Sequence, residues 1–305
     1  MPKYILKRLL LSFLTMFILI VLTFAMMHAV PGGPFTSEKK VTAEVQAALN
    51  AKYHLDDPVY VQFVSYLKDL AHGDFGISYQ YQGKSVNDFI RDGFPVSGKV
   101  GLVTALFVIL TSIPMGIVAA LKNGKWQDML IMTVATLGVT IPSFVIATTL
   151  MYAFSYKLGW LPITGLDSWK GYILPAIAMG GYSLAFLARL MRSSLLEVMG
   201  QDYIRTARSK GISEFRTIVV HALRNAMVPV ITVLGPTIAN LVTGSFVIEK
   251  IFALPGLGIY YVTSINNRDY STIMGVTIFY AAFLIATVFI VDIFYCLIDP
   301  RIRYE

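Results

Sequence analysis

The sequence predicts an all-α, polytopic membrane protein with six transmembrane helices and a small outward-facing cap between helices 1 and 2. Three observations carry that reading. Of the 305 residues, 56% are apolar and only 14% charged, where an ordinary soluble domain carries about a quarter charged residues. Apolar runs of about 20 residues, long enough to cross a ~30 Å hydrocarbon core as helix, recur along nearly the whole chain. The basic residues behind the net charge of +7 lie beside these runs instead of forming one face. They therefore read as topology signals and not as a nucleic-acid footprint.

The first run, Leu9 to Val30, follows Lys3, Lys7 and Arg8. It is longer than a signal-peptide core and no small-x-small site ends it, so it is expected to be an uncleaved membrane helix. Further spans are expected near 97–121, 130–158, 172–190, 228–248 and 272–297. The third is long for one crossing, and Pro142 interrupts its hydrogen-bond ladder, which predicts a kinked approach.

Lys and Arg in the short connections orient these spans. Lys3, Lys7 and Arg8, then Lys122 and Lys125, then Arg189, Arg192, Arg205, Arg208, Lys210, Arg216 and Arg224, and finally Arg301 and Arg303 all fall on one side if the crossings number six. That side is the cytoplasm, with both termini inside. A seventh span within 189–227 is excluded, since its basic residues together would cost about 20 kcal/mol near a helix centre. The chain then divides into the N-terminus and first helix (1–30), an extracytoplasmic cap (31–96), a membrane core of five helices (97–298) containing a cytoplasmic loop (193–227), and a cytoplasmic tail (299–305).

In the cap, Thr42–Tyr53 and Pro58–Ala71 read as short amphipathic helices. Val61, Val64, Leu67 and Leu70 supply the apolar stripe of the second, with Asp57 and Pro58 as its start signals. Gly73 and Gly76 mark turns. In the loop, Gln201–Lys210 suits a helix, and Gly211 stands where a helix ending in a left-handed residue wants glycine. Ser213 is placed to cap a second helix with Phe215, Ile218, Val219, Ala222 and Leu223 along one stripe. Such a hairpin suits either an anionic lipid surface or a soluble partner, and the pattern alone does not choose.

Other residues invite functional readings. Gly83-Lys84-Ser85 resembles the end of a phosphate-binding loop, but Ser78 stands where that motif needs glycine, so a turn is expected and not a nucleotide site. His28, His54, His72 and His221 have no metal-ligand spacing, and no metal site is expected. Cys296 is the only cysteine, which excludes an intrachain disulfide. Ser112, Ser143, Ser183 and Ser245 fall in apolar runs without a histidine base in a late span, which argues against proteolytic chemistry. Asp292 is the one acid well inside a predicted span, and a structural partner suits it as well as a proton relay. Gly235, Ala239 and Thr243 recur every fourth residue, a face for close helix packing. Pro114, Pro142, Pro229 and Pro236 mark kinks or helix starts.

Three separated stretches carry a family resemblance over nearly the whole chain. Asp202-Tyr203-Ile204-Arg205-Thr206-Ala207-Arg208-Ser209-Lys210-Gly211, followed by His221-Ala222-Leu223-Arg224-Asn225-Ala226 and Pro229, resembles the cytoplasmic signature of binding-protein-dependent ABC permeases in its peptide-importer form. Tyr53-His54-Leu55-Asp56-Asp57-Pro58, Tyr66-Leu67 and Gly73-Asp74-Phe75-Gly76-Ile77-Ser78 are similar to the region after the first helix in those permeases. Glu249, Phe252, Pro255-Gly256-Leu257-Gly258 and Arg268-Asp269-Tyr270 resemble the outer loop before their last helix. Pro31-Gly32-Gly33-Pro34-Phe35 points to the oligopeptide branch.

The resemblance implies a type I ABC importer permease fold in a bacterial cytoplasmic (inner) membrane. It implies a non-catalytic subunit paired with a similar permease, two ABC ATPases that bind ATP and Mg, and an extracytoplasmic binding protein that delivers peptide. No cofactor is then expected on this chain itself, and its surroundings are lipid and no nucleic acid. Tyr203, Ile204, Arg205, Ala207, Arg208 and Gly211 are implied as the ATPase-coupling residues, with Ile204, Ala207 and Gly211 in the close-packed part and the arginines at its rim. Ala207 and Gly211 match the general motif; Arg205 replaces its glutamate and Arg224 its frequent proline, so a glutamate-mediated contact is not implied. The substrate implied is an oligopeptide, a dipeptide or nickel permease being the nearer alternative and a membrane enzyme or scaffold without ATPases the distant one.

Overall fold

The computed structural model describes residues 2–31, 50–51, 53–81 and 83–298, without the side chains of 2–4, 292 and 294–298. The expectations placed on residues 32–35, on all but the end of the helix begun at Thr42, on the side chains of Asp292 and Cys296, and on the tail lie outside it.

Among the described residues five helices are long and apolar enough to span a bilayer, and a bent pair makes a sixth candidate. They include α1 (Pro2–Ala29), α3 (Val86–Leu121) and α6 (Ile173–Met199), which a 3-10 turn precedes. The others are α8 (Leu223–Thr243) and α11 (Tyr270–Ile298). Shorter helices are α2 (Val59–Ala71), α7 (Asp202–Ser209), α9 (Phe246–Ile251) and α10 (Leu257–Asn266).

The third predicted span is two helices, α4 (Trp126–Thr140) and α5 (Ser143–Leu150), the latter continued by a π-helical turn to Lys157. They meet at 109°. Pro142 lacks an N–H and forces its predecessor out of the helical region; Ile141 is accordingly extended at φ −85°, ψ 125°. The fifth predicted span is divided too, because Gly244 takes φ +88° between α8 and α9.

Helix α3 begins eleven residues before its predicted apolar run, for a local reason. The Ser85 hydroxyl accepts from the Asp88 N–H at 3.1 Å while the Asp88 carboxylate accepts from the Ser85 N–H at 3.1 Å. This reciprocal capping box fixes the start. Ser85 is thus a helix cap within the tempting Gly83-Lys84-Ser85 triplet.

The chain forms two compact units, one of Met1–Ser97 with Pro255–Cys296 and one built on Gly98–Leu254. In the first, α2 is seated on α1 by aromatic contacts. Phe24 stacks on His28 at 4.1 Å and meets Phe63 edge-on at 5.0 Å, and His28 Nε2 lies 3.2 Å from Gln62 Oε1. The expected stripe is corrected here, since Val61 and Val64 are exposed and the seated face runs through Phe63 and Tyr66. Pro58, and not Asp57, holds the N-cap position; its carbonyl accepts from Val61 and Gln62. A cavity of about 920 Å³ lies in this unit, walled by Phe24, Tyr53, Tyr66 and Tyr270 among others.

In the second unit α6 is central. Leu187, Met191 and Leu195 are fully buried in a cluster with Val108 of α3 and Ala226 and Val230 of α8. With no apolar driving force between helices in lipid, small residues let them approach closely. A Cβ on Gly138 of α4 would stand 3.0 Å from the Gly181 carbonyl of α6.

A stapled basic hairpin and the motif before the last helix

Helix α6 ends at Met199, and the chain turns through Gly200 and Gln201 into α7. Lys210 closes α7, and Gly211 follows at φ +76°. The Gly211 N–H donates to the Arg208 carbonyl at 2.9 Å and the Ile212 N–H to the Ala207 carbonyl at 3.3 Å. These two bonds are the Schellman pattern that a left-handed glycine permits, as the sequence predicts. Across that turn Arg208 donates from Nε to Glu214 Oε2 at 3.0 Å and from Nη2 to Oε1 at 2.7 Å.

The hairpin's return arm differs from expectation in two ways. Ser213 occupies the N-cap position, but its side chain makes no capping bond. After a single turn at Glu214–Arg216, residues Thr217–Ala222 wind as π-helix before α8. A π turn holds more residues than an α turn, so the inward face shifts by one position. Thr217, Ala222, Ala226 and Val230 are buried, whereas Phe215 is 76% and Val219 43% exposed.

Ile204 is fully buried and Ala207 nearly so. Ile204 packs in the cluster of Met191, Leu195, Ala222 and Ala226. The Ser194 hydroxyl donates to the Ala226 carbonyl at 2.8 Å, and Asn225 Nδ2 donates to the Tyr203 hydroxyl at 2.8 Å. Ile204 is thus turned into this chain's own helices, and Ala207 keeps little exposed surface. The face left outward includes Arg205, Thr206, Ser209, Lys210 and Gly211, all exposed.

The motif before the last helix is shared between the two units. Glu249 and Phe252 are buried in one; Pro255, Gly256, Gly258 and Asp269 belong to the other. In that unit Pro255 is exposed while Gly256 and Gly258 are buried, and the Leu257 N–H donates to Ser97 Oγ at 2.9 Å. The fully buried Asp269 carboxylate accepts from the Ser78 hydroxyl, the Tyr79 N–H at 3.1 Å, the Thr272 N–H at 3.3 Å and the Thr272 hydroxyl at 2.8 Å. It therefore ties the cap segment around Ser78 to the head of α11. Burial first, and then the Asp269 charge, push the Tyr79 phenol up to about 12.

On α8, Gly235 and Ala239 are buried and Thr243 half-buried, with the Thr243 hydroxyl returned to the Ala239 carbonyl at 2.8 Å. Among the serines weighed as nucleophiles, Ser245 is the N-cap of α9, its oxygen accepting from the Ile248 N–H.

The sequence reading missed Asp128 and Arg192. Arg192 donates from Nε to Asp128 Oδ1 at 2.6 Å and from Nη2 to Oδ2 at 2.7 Å. Its Nη2 also reaches Asn123 Oδ1 at 2.8 Å, and the Gly124 N–H donates to Asp128 Oδ2 at 2.9 Å. In the sequence Arg192 carries only a topology signal.

Membrane-length helices carrying a stapled, outward-facing basic hairpin define a multi-pass membrane subunit of the permease kind. Residues 112–304 match the family described as binding-protein-dependent transport system inner membrane component, and residues 1–100 match its N-terminal region. The chain belongs to this family. It is 46% identical over 307 residues to the oligopeptide transport system permease protein OppB of Escherichia coli (strain K12), covering 100% of both chains. It is likewise 46% identical over 303 residues to the dipeptide transport system permease protein DppB of Bacillus subtilis (strain 168), covering 99% of this chain and 98% of that one. Among solved structures, an amino acid ABC transporter chain matches 68% of this chain and 92% of its own length, with a TM-score of 0.51 and 16% identity. That likeness supports the fold.

Proposed function

We propose that this chain is one of two membrane-spanning subunits of an ATP-driven importer and forms part of the path for oligopeptides. The observation that carries this reading is the hairpin. It is closed by a Schellman turn and a two-bonded ion pair, anchored inward through Ile204 and Ala207, and presents Arg205, Thr206, Ser209, Lys210 and Gly211 outward. A rigid element with a free face can act as a lever, since only a contact that differs between two states biases their equilibrium.

In this reading the hairpin lies in the cytoplasm, where the seven basic residues of 189–227 place it by the positive-inside rule. Both termini lie on the same side. Two ATPase subunits bind ATP and Mg and receive the outward face, a second permease completes the path, and an extracytoplasmic binding protein delivers the peptide. ATP binding closes the ATPase pair and rocks the helices from inward-open to outward-open; hydrolysis resets them.

The full-length similarity to an oligopeptide permease supports the substrate class, while equal identity to a dipeptide permease favours dipeptides as a second reading. Purification in mild detergent together with the neighbouring gene products tests the assembly, with co-purifying ATPases expected. Their absence, or a reporter fused near position 211 that reads as extracytoplasmic, overturns the proposal. Competition of labelled tetrapeptide uptake by dipeptides, longer peptides and nickel separates the substrates.

A further inference from the structure

Three contacts lie along one seam between α4 and α6. Near one end Gly138 and Gly181 bring the two backbones into contact range. Further along, Arg189 Nη2 donates to the Thr136 hydroxyl at 2.9 Å. At the other end Arg192 grips Asp128 with two bonds, and that grip extends to the α3–α4 turn through Asn123 and the Gly124 N–H. The Asp128 side chain is 5% exposed and that of Arg192 26%, so both charges have left most of their water and are held by each other. On its opposite flank the same stretch of α6 carries the hairpin: Met191 and Leu195 pack on Ile204, and Ser194 bonds the Ala226 carbonyl.

We infer that Asp128 and Arg192 are positioning residues for transport, a strut that makes α4, the end of α6 and the hairpin move as one rigid lever. This rests on the proposed importer reading. A planar guanidinium matched to a carboxylate by two parallel bonds resists both sliding and rotation between helices, which a single apolar contact does not. Movement imposed on the hairpin by an ATPase is then delivered to α4 with no slack at the α6 end. Because Arg192 sits on the stretch of α6 that seats the hairpin, the pair acts through the hairpin.

The test uses the assembled importer in liposomes, with peptide uptake and ATP hydrolysis measured together. Asp128→Asn and Arg192→Gln are each expected to lower peptide moved per ATP about tenfold while leaving hydrolysis and the amount of complex intact. The double variant is expected to be no worse than the poorer single one, because both remove the same bond. Arg192→Lys, which keeps the charge and loses the fork, falls between. Unchanged uptake per ATP in both single variants overturns the assignment, as does a loss that merely tracks the amount of assembled complex.

A second measurement holds even where those variants do not assemble. With Cys296→Ser as background, Thr136→Cys and Arg189→Cys are joined by a short thiol-specific linker. If α4 and α6 move as one body, uptake stays within about twofold of the unlinked protein. Abolition of uptake by the linker shows that the helices slide and overturns the strut. Hydrolysis stimulated by the binding protein in the unmodified complex reports on the importer reading itself, so failure of one is distinguishable from failure of the other.

Discussion

Arg208 holds Glu214 through two hydrogen bonds of 3.0 and 2.7 Å across the turn made at Gly211. Their side chains are 40% and 56% exposed, so water screens the pair and its share of global stability is below about 1 kcal/mol. Its effect is local: it closes the hairpin. Glu214→Gln is expected to leave the melting temperature unchanged while amide exchange over 202–216 accelerates. Unaltered exchange there removes the staple from the account.

Gly211 occupies a left-handed conformation with no atom within 4 Å of where a Cβ would stand. Asparagine tolerates that conformation, so Gly211→Asn is expected to cost under about 1 kcal/mol and to keep transport. Gly211→Trp also meets no neighbouring atom, though it is strained at this φ by about 1–2 kcal/mol, and insertion into the membrane is expected to be normal. Peptide uptake per ATP is expected to fall sharply, because the bulk projects from the outward face. Normal uptake at equal abundance counts against docking at this face.

Ile204 is an anchor in this structure, not a surface residue. Ile204→Ala deletes a fully buried side chain and is expected to destabilise the protein by about 2–4 kcal/mol. Arg205→Ala, on the outward side, is expected to change stability by less than about 0.5 kcal/mol. Thermal melting in nanodiscs checks both; equal effects would mean the hairpin is not seated inward.

Asp269 gathers four hydrogen-bond donations in a site closed to water. Asp269→Ala leaves several donors without an acceptor and is expected to cost about 3 kcal/mol or more. Ser78→Ala removes one donor while three still reach the carboxylate, and deprives the Gln80 and Tyr81 N–H groups of their acceptor at 3.2 and 2.9 Å, at about 2 kcal/mol. A melting series in which Ser78→Ala is the more damaging reverses this ranking.

The Tyr79 phenol, raised from 10.0 to about 12 by burial and then by the Asp269 charge, gives an alkaline signature. Folding holds it neutral where the unfolded chain ionises it, so the folded state binds more protons above the ordinary value. Its contribution is fully present below pH 10 and is lost as pH rises from 10 to about 12. Tyr79→Phe is expected to remove an ionisation near pH 12 from the 295 nm titration; an identical titration refutes the shift.

Features with a local signature were legible in the sequence. The spans follow from apolar length, the Gly211 turn from the preference of left-handed positions for glycine, and the break at Pro142 from its missing N–H. Registers were less legible. Phe215 and Val219 fit an α stripe, but the π turn moved the buried face, and no residue type announces a π turn. Val61 and Val64 lost to Phe63 and Tyr66 because the partner surface, Phe24, is itself aromatic. Pairing at a distance was invisible: Asp128 and Arg192 lie 64 positions apart, and each alone looks like an ordinary charge at a helix end.

The π-helical segment Thr217–Ala222 sets the angular phase between the hairpin and the membrane helix that follows. Were the same six residues wound as regular α-helix instead, the hairpin's outward face would turn by about 100° about the α8 axis, one α position. Every side chain of that face would survive such a change, yet each would be aimed elsewhere. The direction of the hairpin's outward face therefore depends on how a neighbouring segment winds, and not only on the residues the face displays.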